Sequence, residues 1–263
     1  MEIEADDATS LGTLSIAKSV ARVRVTGGRW GGVRVAIPAV FTPSVEYRPE
    51  WMAEDIWFQN VTVDSGSETA FEVRGRRIAL LESDVTGGRY SVWCGDTAHF
   101  QSEDVILFGN TLRSAGPEAT VRLVSVLRSA VVANQMSNTY KHNYRIHGTS
   151  DLNYAADNLL VTTGVMLGTM EGDSLGRVWF DDNEMHHDAP DLFNPSPTAI
   201  RELYARRNVV HAAQHGTLYG GTVPSGWRIE DNVVGPWHAR APVLTGARER
   251  LPSRGRGGRQ RRS

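Results

Sequence analysis

Cysteine is almost absent from this chain. The single Cys94 excludes an intramolecular disulfide and any multi-cysteine zinc site, and it leaves the redox compartment open. Lysine is nearly as scarce, with only Lys18 and Lys141, so almost all positive charge is arginine. A GC-rich genome explains that bias without functional selection. Long hydrophobic runs are missing too: none approaches the ~18 residues that cross a bilayer, which argues against membrane insertion. The opening Met1-Glu2-Ile3-Glu4-Ala5-Asp6-Asp7 is acidic and lacks the basic and apolar regions of a secretory signal. If the protein is exported, its signal lies outside this chain. Between residues 55 and 235 no helical periodicity competes with the strand pattern.

Hydrophobic residues make up 40% and charged residues 22% of the 263, enough apolar surface for a continuous core and too little charge for wholesale disorder. The formal charge of −2 conceals an asymmetry. Residues 248–263 hold seven arginines against Glu249, leaving 21 basic and 29 acidic residues elsewhere, a body charge near −8. An acidic body gives no electrostatic reason to expect nucleic acid. The tail arginines lack interleaved aromatics and are weak evidence for RNA.

What is present is a repeat. Short β-prone runs end at a recurring polar residue: Asn60, Ser83, Asn110, Asn134, Asn158, Asn183, Asn208 and Asn232, at intervals of 23, 27, 24, 24, 25, 25 and 24. Two residues later stand Val85, Leu112, Met136, Leu160, Met185, Val210 and Val234. Three residues earlier stand Trp57, Leu80, Leu107, Val131, Ala155, Phe180, Ala205 and Ile229. Such columns predict copies that stack in one register, because a five-residue strand cannot bury a face alone. Asparagine suits the anchor, since it tolerates the left-handed conformation and its amide can bond to the next Asn of the stack. The run Val25-Thr26-Gly27-Gly28-Arg29-Trp30 recurs as Val85-Thr86-Gly87-Gly88-Arg89-Tyr90, which places the start of the repeat by about residue 20.

A ~24-residue unit with short strands and an Asn ladder resembles one coil of the right-handed parallel β-helix of the pectin-lyase-like superfamily. The expected fold is therefore all-β, a single right-handed parallel β-helix of about 8–9 coils with an Asn ladder. Residues 1–20 are expected as an N-terminal cap and residues 21–244 as the helix, with an inserted loop at 38–52. Residues 245–263 are expected as a disordered Arg/Gly-rich tail.

The resemblance implies an exported bacterial protein, secreted or at the cell surface and preferably monomeric. It would bind an extended, acidic polysaccharide along one sheet. Whether it is an enzyme stays open: as one it would be a polysaccharide lyase, with glycoside hydrolysis less favoured, and otherwise a non-catalytic adhesion or carbohydrate-binding scaffold. The sheet in question is read as Phe71-Glu72-Val73-Arg74, Val92-Trp93-Cys94, Val121-Arg122-Leu123, Tyr144-Arg145-Ile146-His147 and Val165-Met166-Leu167. Alternation turns Glu72, Trp93, Arg122, Arg145 and Met166 outward in one column and puts Cys94 and Tyr144 inside. Arg74 and His147 begin a second column. In a lyase Arg122 and Arg145 would neutralise a uronate carboxylate, Lys141 or His142 would take the adjacent proton, and Trp93 would stack on a sugar ring. Glu72, Arg74, Trp93 and His147 complete the substrate-binding set. The bland alternative is a solvated face paired internally by Glu72, Asp96 and Glu103.

Two better-known sites of the superfamily do not map onto this sequence. Calcium-dependent pectate lyases need several acids in the outward column, which here offers only Glu72. The polygalacturonase pattern needs an Asn-x-Asp and a late lysine. Here Asp181-Asp182 merely precedes Asn183, and only His215-Gly216 and Arg228-Ile229-Glu230 follow. No metal or cofactor is assigned. His186 and His211, each three residues past an anchor, are the candidates for a divalent ion, with Glu184, His187 and Asp188 nearby. Solvated surface histidines are the alternative. The column Asp157, Asp182, Arg207 and Asp231 reads as a charge ladder.

Overall fold

The computed structural model describes residues 1–36, 49–66, 68–95, 102–170, 172–186, 193–211 and 218–235. They form a parallel β-solenoid of about 8 turns. Its first layers are two long strands, β1 (Glu2–Ile16) and β2 (Ala21–Val35). From there each turn breaks into three shorter strands, giving three faces. The first face holds β5 (Phe71–Val73), β8 (Val92–Gly95), β11 (Ala119–Val124), β14 (His142–His147), β17 (Gly164–Leu167) and β20 (Phe193–Pro195). The second holds β3 (Ala53–Gln59), β6 (Gly75–Leu81), β9 (Ser102–Phe108), β12 (Val126–Val132), β15 (Asp151–Ala156), β18 (Leu175–Asp181), β21 (Ile200–Arg206) and β23 (Trp227–Glu230). The third holds β4 (Thr62–Asp64), β7 (Asp84–Gly87), β10 (Thr111–Ser114), β13 (Gln135–Asn138), β16 (Leu159–Val161), β19 (Glu184–His186), β22 (Val209–His211) and β24 (Val233–Gly235). Every pairing is parallel, and β2 pairs in succession with β3, β4 and β5.

Residues 1–20, expected as a cap, contain β1, which pairs with β2 from Glu2 opposite Arg24 to Ile16 opposite Val35. Of the expected inserted loop, 37–48 lies outside the described residues, while Pro49–Trp51 forms a short 3-10 turn. The Arg/Gly-rich tail also lies outside them, as do Asp96, His187, Asp188 and His215. Among the described residues no helix is long and apolar enough to cross a membrane.

The core is a set of apolar columns. On the third face Val85, Leu112, Met136, Leu160, Met185 and Val210 are buried, as their offset from the anchors predicts, while Val234 is only half-buried; Val63, three residues past Asn60, fills the same column below Val85. On the second face the inward column is Phe58, Leu80, Leu107, Val131, Ala155, Phe180 and Ala205. Trp57 does not belong to it. Its side chain is 51% exposed, whereas Phe58 is fully buried. Trp57 instead heads an outward column with Ala79, Ile106, Ala130, Tyr154, Trp179 and Tyr204. The Val25 and Val85 motifs are likewise out of register, because Val85 stacks on Val63 and Val63 on Trp30.

Both corrections have one cause. The left-handed bend and the polar ladder are adjacent positions rather than one. Positive φ falls on Asn60 (56°), Glu82 (48°), Gly109 (67°), Ala133 (57°), Asp157 (54°), Asp182 (55°), Arg207 (56°) and Asp231 (56°). The residue after each of the last seven is Ser83 or an anchor Asn, whereas Asn60 is followed by Val61. Asn60 is therefore a bend residue, and the ladder begins at Ser83. Ser83 N donates to Asn110 Oδ1 at 2.9 Å, and the same bond repeats down to Asn208 N on Asn232 Oδ1 at 2.9 Å. Each Asn Nδ2 also reaches a carbonyl one coil back, as Asn134 does to Leu107 O at 2.9 Å. In the bend column Arg207 is paired with Asp182, as the charge-ladder reading expects.

A second left-handed column opens the second face: Arg22, Asp55, Arg77, Asp104 and Arg128, with φ between 54° and 59°. Its charges alternate. Arg77 holds Asp55 and Arg128 holds Asp104, and both carboxyls sit below their ordinary range because of those hydrogen bonds. Beside it Glu54, Arg76 and Glu103 alternate as well, with Arg76 3.1 Å from Glu54.

Candidate functional site

The first face carries the predicted outward column in register. Glu72 lies opposite Trp93, Trp93 opposite Arg122, Arg122 opposite Arg145 and Arg145 opposite Met166. Register extends it to Arg34 at one end and Asn194 at the other. Strand alternation fixes this arrangement, because Val92, Cys94, Val121, Leu123, Tyr144 and Ile146 all point into the core.

Charge along the column is unevenly matched. Glu72 receives two guanidiniums, Arg34 at 3.4 Å and Arg74 at 3.2 Å. Trp93 is flanked by two more cation contacts, with Arg74 5.1 Å and Arg122 5.2 Å from its ring. Arg122 donates to the Tyr90 hydroxyl at 2.6 Å, and Arg145 donates to Glu118 at 2.9 Å. Lys141 approaches the same Glu118 oxygen at 4.0 Å. Arg122 and Arg145 are only 8% and 6% exposed, and the Nε of each has no hydrogen-bond partner. Burial, then the neighbouring Arg122, hold Arg145 below the ordinary arginine value. Burial pushes the Tyr90 phenol up, against the pull of Arg122.

His147 stands two residues beyond Arg145 on the same strand, in a column with Val124. Arg74, which follows Val73, enters that column beside Gly95. The His147 Nδ1 is 2.9 Å from Asp173, whose carboxylate also accepts from Gly148 N at 2.7 Å and Met170 N at 2.9 Å. A carboxylate fixed in that way accepts from Nδ1–H, which leaves the lone pair on Nε2. That Nε2 is buried without a partner. Burial pushes the His147 pKa below the ordinary value in spite of Asp173, so the ring is neutral at pH 7.

The predicted residues are thus only partly assembled. Arg122, Arg145, Trp93 and Lys141 meet around Glu118 and Tyr90. Arg74 joins Glu72. His142 is 9% exposed at the start of β14, where a register irregularity separates it from Tyr144. Glu103 leaves the set altogether: it belongs to the second face, 3.3 Å from Arg128. The bland reading required acids on this face, and it gains one from Glu118. Glu118, Tyr90 and Asp173 were not found by sequence. Glu118 lies 27 residues from Arg145 and Asp173 lies 26 from His147, about one coil, and that offset is the signal that points to them. His186 and His211 meet on the third face, away from this cluster.

No protein-family model, no curated protein and no solved structure matches this chain.

Proposed function

We propose that this β-helix is an exported protein that binds a uronate-containing polysaccharide along its first face, as the resemblance to the pectin-lyase-like superfamily suggests. One observation carries the reading. Two mostly buried guanidiniums occupy register-matched positions on neighbouring strands; of the two, Arg145 is paired with a carboxylate, Glu118, while Arg122 rests on the Tyr90 hydroxyl. Like charges buried side by side with one counter-ion between them are costly, and a bound carboxylate supplies a second. Trp93 adds a ring face beside them for a sugar.

Cleavage by β-elimination is the second reading, and the His147–Asp173 pair favours it. In that step Nε2 of His147, closed off in the folded chain, has to be uncovered as the polymer binds before it takes the proton next to the uronate carboxylate. The electron pair forms the carbon–carbon double bond, the C–O bond to the leaving sugar breaks, and the leaving oxygen takes a proton from water. Arg122 and Arg145 stabilise the charge that builds on the carboxylate. His147 is preferred here to Lys141 and His142 because Asp173 fixes its ring, while the Lys141 side chain is exposed 4.0 Å from Glu118.

The test is affinity electrophoresis through alginate, polygalacturonate and a glycosaminoglycan, with a neutral glucan as control. Retardation by an acidic polymer, weakening with salt and reduced about tenfold or more in Arg122→Gln and Arg145→Gln, is the expected result. New ultraviolet absorbance from an unsaturated product, lost in His147→Gln while binding persists, marks the lyase. No retardation of the folded protein by any acidic polymer overturns the reading in favour of a non-catalytic scaffold.

A further inference from the structure

The outward side of the third face carries a cluster that polysaccharide binding does not use. β19 and β22 pair with His186 opposite His211 and Glu184 opposite Val209. Met185 and Val210, the residues between, are buried in the core, so alternation turns Glu184, His186 and His211 outward. The two imidazoles stack with centroids 4.3 Å apart and planes inclined by 20°. Both present Nε2 to a single oxygen, with Glu184 Oε1 2.6 Å from His186 and 3.3 Å from His211. The three donor atoms lie within 4.8 Å of one another.

Imidazole nitrogen and carboxylate oxygen together form a ligand set for first-row divalent ions. With metal–ligand bonds of ~2.0–2.1 Å, tetrahedral geometry separates donor atoms by about 3.3 Å. Parallel strands ~4.8 Å apart bring two register-matched histidines close to that separation without any loop to organise them. The remaining adjustment is a side-chain rotation. His211 is free to make it at 25% exposure, and Glu184, at 51%, leaves the cluster open to solvent.

We propose that Glu184 Oε1 and the Nε2 atoms of His186 and His211 bind one Zn²⁺-class ion, with water completing its coordination. Coordination requires that each Nε2 turn its lone pair to the ion. Two coils are thereby tied together from outside the core.

Tag-free, chelator-stripped protein titrated calorimetrically with Zn²⁺ should take up one equivalent. Co²⁺ should give visible bands of a nitrogen–oxygen site. His211→Gln and Glu184→Gln, both at solvent-accessible positions, should each weaken Zn²⁺ binding at least about tenfold, the loss that even an outer partner of a metal ligand produces. Arg122→Gln, on another face, should leave it unchanged. Absence of Zn²⁺ heat and Co²⁺ bands from the folded protein overturns the proposal. So does Zn²⁺ affinity that survives His186→Asn/His211→Gln in a protein of native circular dichroism.

Discussion

Replacing Asn158 by alanine isolates the contribution of the polar ladder. Asn158 Oδ1 accepts from Asn134 N and Asn134 Nδ2, each at 3.0 Å, and its Nδ2 donates to Val131 O and Asn183 Oδ1, each at 2.8 Å. After truncation Asn134 Nδ2 keeps Leu107 O and Val132 O, and Asn183 Oδ1 keeps Asn158 N. The Asn134 N–H is left unpaired at a buried site. One orphaned donor costs about 1–3 kcal/mol, and the three other lost bonds add about 0.5–1.5 kcal/mol each, so about 2.5–7.5 kcal/mol is expected. That is a large share of a total stability of ~5–15 kcal/mol. Asn232→Ala removes the same kind of contacts, to Asn208 and Ala205, at a half-buried position that water can reach. It should cost only about 1 kcal/mol. Asn60→Gly, at a bend outside the ladder, should change stability by less than about 1 kcal/mol. Urea titrations followed by circular dichroism give the midpoints, compared at constant slope. Equal midpoints for Asn158→Ala and Asn232→Ala would refute the claim that buried ladder bonds, rather than apolar columns alone, hold the coils together.

Three further outcomes follow from single positions. His147 has a folded pKa below its unfolded value of about 6.5, so the unfolded chain binds the extra proton first as pH falls; stability should drop below pH ~6.5, and that limb of a midpoint-against-pH plot should flatten in His147→Gln. Gly95 has φ +80°, and a Cβ there would meet the Val124 carbonyl oxygen at a forbidden distance. Gly95→Ala should therefore cost more than about 4 kcal/mol, against about 1–2 for Gly66→Ala, where φ is +64° and the space is open, as melting curves of the two would show. The buried Cys94 thiol, pushed up to about 12 chiefly by burial, should stay inert to a thiol reagent in native buffer and react fully in denaturant; rapid labelling of the native protein would contradict that.

Period and stacking were legible in the sequence because each coil repeats the same demands on a few columns. The ladder from Asn110 to Asn232 and the outward Glu72–Met166 column follow from spacing and alternation alone. Failure came where two neighbouring positions favour the same residue type. Asn60 sits at a bend and Asn110 in the ladder, yet both are asparagines closing a β-prone run. Slipping by one residue moved Trp57 from the surface into the expected core and hid Phe58, since a strand reverses its faces at every residue. Partners of charged side chains were hidden for another reason. Glu118 and Asp173 lie in connections between strands, where no alternation applies, and meet Arg145 and His147 only through the closing of a whole coil.

The alternating charges that open the second face bear on how the chain finds its order. Apolar columns and the polar ladder offer nearly the same surface at every level, so neither distinguishes a neighbouring coil from the one after it. The charges do. Leaving out the level of Arg76 and Arg77 would bring Asp55 against Asp104 and Glu54 against Glu103, two carboxylate pairs where two ion pairs had been. Leaving out the level of Asp55 would set Arg22 against Arg77. A sequence of plus and minus signs thus acts as a parity check on assembly, penalising a skipped level in a molecule whose interior could not detect the error.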